Sequence, residues 1–293
     1  MEKLFKAKKE IHNDMDKKIE KSENITWVER EGVPFLQFPF LQGYPLAHGF
    51  STKLGGVSSG DCSTMNLSFT RGDAVCDVRE NHRLFARAVG YDISELVLTD
   101  QVHSTNIRRV GAGDCGEVFL EHRSIRETDG LVTNEKNVVL MTFFADCVPL
   151  LFYDPVRQAV GNAHSGWRGT VQKMGEKMVE RMGREFGSDP EDLRAVIGPS
   201  ICQACYEVDE AVIREFDLAF DEKYWDDIYE KKENGHYQLD LWQANRIVLE
   251  EAGLRPEHIC VSGVCTYENP KQLFSHRFTN GRRGNLCAVI GLR

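Results

Sequence analysis

No apolar run in this 293-residue chain approaches the roughly 18 to 20 residues that a membrane-spanning helix requires; the densest stretch, 138–145, has the length of a buried strand. The N-terminal stretch MEKLFKAKKEIHNDMDKKIEK lacks the apolar core of a secretory signal, mixing Lys with acidic residues throughout. A cytoplasmic protein with no membrane partner is therefore expected. A basic excess is also missing: 36 Lys plus Arg stand against 45 Asp plus Glu, a formal net charge of −9. That sign opposes counterion release from a phosphate backbone and argues against nucleic acid as a partner. The nine cysteines are odd in number and scattered, which argues against a disulfide framework and leaves them as core residues, metal ligands or a nucleophile. No repeat and no low-complexity linker divides the chain.

What remains is the composition of an ordinary globular protein, 41% hydrophobic and 28% charged. Residues 1–24 alternate Lys with Glu and Asp around a thin stripe of Leu4, Ile11, Met15 and Ile19, the pattern of a solvated helical arm outside the catalytic core. From residue 25 the texture changes. ITWVER and VPFLQF flank Glu31 and Gly32, which predicts a β-hairpin, and strand-like segments then alternate with amphipathic helices over 77–89, 170–186, 209–216 and 241–252. The expectation is an α+β (α/β-like) fold: a single catalytic domain over 25–293 with mixed β-sheets flanked by helices. Val171, Met174, Met178, Met182 and Phe186 recur at steps of three and four, a stripe that predicts core packing rather than a ligand surface.

The richest stretch is VVLMTFFADCVPLLFYDPVRQAVGNAHSGWRGT. Apolar runs at 150–153 and 159–163 flank Asp154 and Pro155, predicting a tight antiparallel hairpin. With a four-residue loop over 154–157, Tyr153 faces Gln158 and Cys147 faces His164, with Cβ atoms about 4.5 to 5.5 Å apart. That separation suits a thiolate and an imidazole acting together or sharing a metal. Gly166 and Gly169 follow and allow close backbone approach to a ligand. Asp146, beside the cysteine, is a candidate for orienting a histidine, for proton transfer or for capping a turn.

Other segments carry weaker signals. HSGWRGT places Arg168 at the expected start of the Met-striped helix, where free N–H groups and a guanidinium could receive phosphate or carboxylate. HGFSTKLGGVSSG supplies His48 and Lys53 to a flexible loop but lacks the spacing of a Walker loop or a dinucleotide fingerprint. His103 sits at a break between strand-like runs at 96–98 and 107–110. SHRFTNGRRGN gathers His276, Arg277, Arg282 and Arg283 into a local basic cluster, where an anion site competes with a solvated loop. Cys202 and Cys205 form a C-x-x-C, but Cys260 and Cys265 have the wider C-x4-C spacing, so two reduced thiols are expected there rather than a closed zinc site.

In order along the chain, HGFSTKLGGVS, MNLSFTRGD, QVHS, TDGLVT, ADCVPLLFYDP, AHSGWRGT, VIGPSICQACYEV, LDLWQANRIVLEEAG and LFSHRFTNGRRGN resemble the purine nucleoside phosphorylase family, also carried as laccase-domain or polyphenol oxidoreductase proteins. The match runs from about His48 to the C-terminus. The resemblance implies a fold like that of the cytotoxic necrotizing factor deamidase toxins, with their Cys and His site. It implies a catalytic zinc on His103, Cys147 and His164, with copper as the alternative metal. It also implies phosphorolysis of adenosine, inosine, guanosine and methylthioadenosine, together with adenosine deamination. Purine nucleosides and phosphate are then the partners, with Arg168, His48, Lys53 and Arg277 as candidates to bind them, in a monomer or small homo-oligomer. Two positions depart from the family pattern: Lys53 and Phe278 each stand where Arg is common. Three other classes compete. They are a metal-free Cys–His amidase editing a cell-wall precursor with Cys147 as nucleophile, a copper-dependent phenol oxidase, and a non-enzymatic binding module.

Overall fold

The computed structural model describes residue 19 and residues 22–116 and 125–293. Two six-stranded mixed sheets stack face to face. The first has the order β1 (Thr26–Arg30), β2 (Val33–Gln37), β3 (Leu46–Ser51), β15 (Leu286–Leu292), β7 (Val139–Phe144) and β4 (Leu96–Leu98). The second has the order β14 (Ile259–Val261), β10 (Arg194–Ile197), β8 (Val148–Asp154), β9 (Ala159–Ser165), β6 (Gly130–Thr133) and β5 (Ile107–Arg109). Three pairs run parallel, β4 with β7, β5 with β6 and β10 with β14; the rest are antiparallel. A three-stranded sheet of β11 (Glu207–Val208), β13 (Tyr237–Leu239) and β12 (Tyr229–Lys231) lies apart. The fold is α+β.

The central strands read as unbroken apolar runs because they are buried on both faces. In β7, Leu140 and Phe144 point into the layer between the sheets, whereas Val139, Met141 and Phe143 point outward to Phe85 and Val89 of the helix Val75–Val89. In β8, Leu151 and Tyr153 enter the same middle layer, and Leu150 and Phe152 face Met178, Met182 and Leu249 on helices Met174–Phe186 and Leu241–Glu251. The result is a helix, sheet, sheet, helix stack. Asn162 of β9 ties the sheets together: its side-chain amide donates to the carbonyls of Leu140 and Ala288, and its Oδ1 accepts from the Thr142 hydroxyl. Leaving any of these buried groups unpaired would cost about 1 to 3 kcal/mol.

The Met stripe packs in the core as expected, with Met174, Met178 and Met182 fully buried. The hairpin of β1 and β2 turns through Glu31 and Gly32, both in the left-handed region (φ 52 and 79), as a two-residue turn of this hand requires. Two expectations need correction. The helix over 170–186 is broken into Trp167–Val171 and Met174–Phe186, because Lys173 takes a left-handed backbone (φ 60) that no α-helix can contain. The β8–β9 register is also displaced: Asp154 pairs with Ala159 and Pro149 with His164. Asp154 remains in the strand while its Oδ1 accepts from the amides of Val156 and Arg157, and Gln158 completes the turn at φ 50. At the turn β8 is therefore one residue longer than its apolar run suggests, while β9 begins at Ala159 as its run does.

The proposed arm, 1–24, lies largely outside the described residues. At its described end Ile19 is buried among the middle-layer side chains, and Ser22 and Asn24 donate to the carbonyls of Ser262 and Val261. No helix among the described residues is long and apolar enough to cross a membrane.

Candidate active site

Two loops and the end of one strand converge. His103 sits between β4 and β5, Cys147 follows β7, and His164 lies near the end of β9. One ligand atom from each side chain lies within 4.8 Å of the other two. The two imidazoles meet edge to face, with ring centroids 4.8 Å apart at 88°. The displaced register leaves His164 diagonal to Cys147, not opposite it. A shift of two keeps both on the same face of the sheet, and the reach of diagonal neighbours suffices. Gly166 completes the approach, since a Cβ there would sit 3.0 Å from the Cys147 sulfur and 3.4 Å from the His103 ring. Both His103 and Asp146 hold left-handed backbone (φ 62 and 86), a conformation that costs non-glycine residues on the order of 1 to 3 kcal/mol and clusters at functional sites.

Asp129, in the middle of the TDG segment and just before β6, holds this arrangement in place. Its fully buried carboxylate accepts from the amides of Val102, His103 and Ser104, from the Ser104 hydroxyl, and from His164 Nδ1 at 2.9 Å. Nδ1 being engaged, Nε2 is the His164 nitrogen left for Cys147 or a metal. Burial by itself would raise the Cys147 pKa, but the positive His164 and hydrogen bonds from both histidines pull it down from about 9 to about 6. The reverse holds for His164. Burial opposes its charge, and the Cys147 thiolate and Asp129 raise it to about 9. The sequence by itself assigns Asp129 no site role; the one signal there is an acid flanked by Thr and Gly at a strand entrance.

His103, Cys147 and His164 line a cleft of about 150 Å³. Two cations, Arg71 and Arg283, line the same cleft, with Ser68, Thr70, Asn285 and the acid Asp100. Burial and the neighbouring Arg71 push the Arg283 pKa down to about 10. One Arg283 nitrogen donates to Asn285 Oδ1, but its Nε is buried with no hydrogen-bond partner. A buried, unpartnered guanidinium N–H beside a second guanidinium is a seat for an anion.

The other candidates lie elsewhere. Arg168 is exposed and stacks over Trp167 at 4.2 Å, and it does not line the cleft. His48 is buried in β3, accepts from the Phe38 amide and has its pKa pushed down to about 4, by burial first. Lys53 is half-buried outside the cleft lining, and burial lowers its pKa. Arg277 packs over Tyr206, donates a guanidinium N–H to the Glu207 carbonyl, and gives its amide to Asp146 Oδ2. Asp146 also accepts from the Thr266 hydroxyl at 2.6 Å. With both oxygens engaged, it braces the loop that presents Cys147.

The family model of the multi-copper polyphenol oxidoreductase laccases matches residues 47–293. The chain is 41% identical over 249 residues to purine nucleoside phosphorylase YlmD of Bacillus subtilis, covering 84% of this chain and 88% of that one. It is 36% identical over 261 residues to the purine nucleoside phosphorylase of Deinococcus radiodurans, covering 89% and 94%. Among solved structures, that of YlmD from Geobacillus stearothermophilus is similar with a TM-score of 0.86 and 33% identity, covering 91% of this chain and 98% of that one.

Proposed function

The chain belongs to the multi-copper polyphenol oxidoreductase laccase family, and from that premise we propose that it is a cytoplasmic, zinc-dependent purine nucleoside phosphorylase acting on adenosine, inosine, guanosine and methylthioadenosine, with adenosine deaminase activity. The observation that carries this reading is one cleft lined by both the His103, Cys147 and His164 donor set and the Arg71 and Arg283 pair. The names of its relatives support the phosphorylase part.

The donor set fits zinc. Two imidazoles and a thiol of depressed pKa, with one imidazole backed by a carboxylate, make a three-ligand set that leaves a position for water or substrate. When bound there, zinc supplies Lewis acidity and lowers the pKa of water toward 7, the chemistry that deamination at purine C6 demands. Asp129 fixes the His164 tautomer and the His103 backbone, so both nitrogens are aimed before substrate arrives. Phe143 and Phe144 give the cleft an apolar wall for a base. Arg71 and Arg283 hold phosphate, whose oxygen bonds to the ribose anomeric carbon as the bond to the purine nitrogen breaks; the bonding pair leaves with the purine, which takes up a proton. Ribose 1-phosphate and free base result.

A second reading has a specific observation behind it. Cys147, His164 and Asp129 stand in the order of a nucleophile, base and orienting acid, the constellation of a metal-free thiol amidase. Copper in place of zinc, as the family description suggests, is the third. One experiment separates them: metal analysis of untagged protein, paired with adenosine turnover with and without phosphate. Zinc near one equivalent or more per chain and phosphate-dependent purine release support the phosphorylase. Metal-free protein that cleaves amides, copper-loaded protein that oxidises phenols, or purine release indifferent to phosphate overturns it.

A further inference from the structure

A second cluster of metal-ligating groups lies apart from the candidate centre. Cys202, Cys205 and Cys265 bring their sulfurs within 4.8 Å of one another. Two of them come from a C-x-x-C turn and the third from a segment 63 residues on from Cys202. Cys260, the other cysteine of the C-x4-C, stays away in the core as part of β14. From these positions we infer that Cys202, Cys205 and Cys265 form a thiolate-rich binding site for a soft d¹⁰ cation, Zn²⁺ foremost, distinct from the centre at His103, Cys147 and His164.

The backbone is shaped for such a site. The turn 203–205 is a single 3₁₀ turn in which the Cys205 amide donates to the Cys202 carbonyl, folding the two cysteines toward each other. The Cys202 amide points at the Cys265 sulfur, 3.4 Å away. That N–H favours the Cys265 thiolate, the form that ligates, against the Cys202 side chain and burial, which hold the thiol protonated until a cation displaces the proton. The two segments are stitched together as a short parallel bridge: Ser200 donates to the Val264 carbonyl, and Thr266 donates to the Ser200 carbonyl. Three sulfurs around zinc at about 2.3 Å stand roughly 3.8 Å apart, so only about an ångström of closure is needed. Cys265 is buried while Cys202 and Cys205 are half-buried, which leaves an entry path on one side. Three thiolates and no imidazole make a softer ligand set than the first centre and select Zn²⁺ or Cu⁺ over harder ions.

The cluster also touches the loop that carries Cys147. The Ile201 amide donates to the Asp146 carbonyl, and the Thr266 hydroxyl donates to the Asp146 carboxylate. A cation joining Cys202 and Cys205 to Cys265 would lock together both segments that grip Asp146. Its role is therefore positioning.

The test titrates chelator-treated, reduced protein with Co²⁺ alone as the probe, following thiolate-to-cobalt absorption. The wild-type chain should take up two ions, and C147S should keep one. The ion that remains should absorb about threefold more strongly per cobalt than the ion kept by a C202S/C205S chain, three thiolates against one. Zn²⁺ added afterwards should displace both. A wild-type chain that binds one ion and loses it in C147S overturns the inference. So does a reduced C147S chain with no thiolate band, or one in which the three cysteines form a disulfide on air exposure and take up no cobalt after reduction. Since C147S retains all three cysteines, it decides the matter even if C202S/C205S fails to fold, and it does so whether or not the phosphorylase reading holds.

Discussion

The two groups of side chains that line the cleft, a donor end and an anion end in chemistry, are built on opposite electrostatic plans. At the donor end every group attracts its neighbour: thiolate to imidazolium, imidazole to carboxylate, carboxylate to three amides. At the anion end Arg71 and Arg283 repel, and a buried N–H is left without a partner. A self-satisfied cluster is organised before anything binds. A repelling pair is relieved only by a ligand of the opposite charge. Under the proposed function, the chemistry falls to the first group and the recognition of phosphate to the second.

The most severe way to break the donor end is Cys147→Ala. Turnover of every nucleoside should fall to background, while far-ultraviolet circular dichroism and the melting temperature stay near wild type, because the side chain is small and only partly buried. Wild-type activity in that variant would remove both the zinc and the nucleophile readings at once.

Arg283→Ala should break the other end selectively. Loss of a charge-assisted contact worth about 1.5 to 3 kcal/mol predicts a drop of roughly 10- to 150-fold in phosphorolysis, carried mainly by KM for phosphate. Deamination of adenosine should change little, since it holds no second anion. Arg168→Ala should leave phosphorolysis near wild type; the reverse pattern would move the phosphate seat to the start of the Trp167–Val171 helix.

Asp129→Asn probes the support behind the metal ligands. It keeps the size but loses the charge that orients His164, and it should weaken metal retention about 10- to 100-fold under dialysis against a graded chelator. Unchanged affinity would show that the carboxylate serves the 102–104 loop alone.

The mildest test is a titration. In metal-free protein, alkylation of Cys147 by iodoacetamide should rise with a midpoint near pH 6, where the thiol gives up its proton, rather than near 9. Below that midpoint the thiol is protonated and slow. As pH climbs past about 9, His164 loses its proton and the ion pair ends. A midpoint near 9 would mean that the histidines do not share the thiolate's charge in solution.

Legibility in the sequence tracked the range of the contacts. His103 was placed at a strand break because the flanking runs are strands at 96–98 and 107–109, and each run is visible by itself. Cys147 and His164 were brought together by one hairpin, an interaction between neighbours along the chain; a register displaced by two preserved their shared face because side chains alternate with period two. Asp129 and Arg71 carry no site signal in the sequence, and Arg283 carries only that of a basic cluster open to an anion site or a solvated loop, because their partners come from distant segments. Arg71 precedes the helix Val75–Val89 and Arg283 precedes the last strand, and no local pattern links them. The basic cluster at 276–283 was visible, but which of its arginines turns toward the cleft was not. Cys265 was considered as half of a pair with Cys260, yet only Cys265 reaches the C-x-x-C turn.

What the amino-acid order by itself determined is therefore the set of local elements: buried strands that are apolar throughout, the Glu31–Gly32 turn, the Met-striped helix face, and the charge balance that argues against a nucleic-acid partner. Periodicity and turn chemistry act within a few residues and need no other part of the chain. Only the tertiary structure decided which polar groups share a cleft, which arginine lies buried beside another, and which cysteines meet. Those outcomes depend on stacking two sheets, in the first of which β15 from the end of the chain lies between β3 from near its start and β7 from its middle, and burial and electrostatic coupling exist only once that stack has formed.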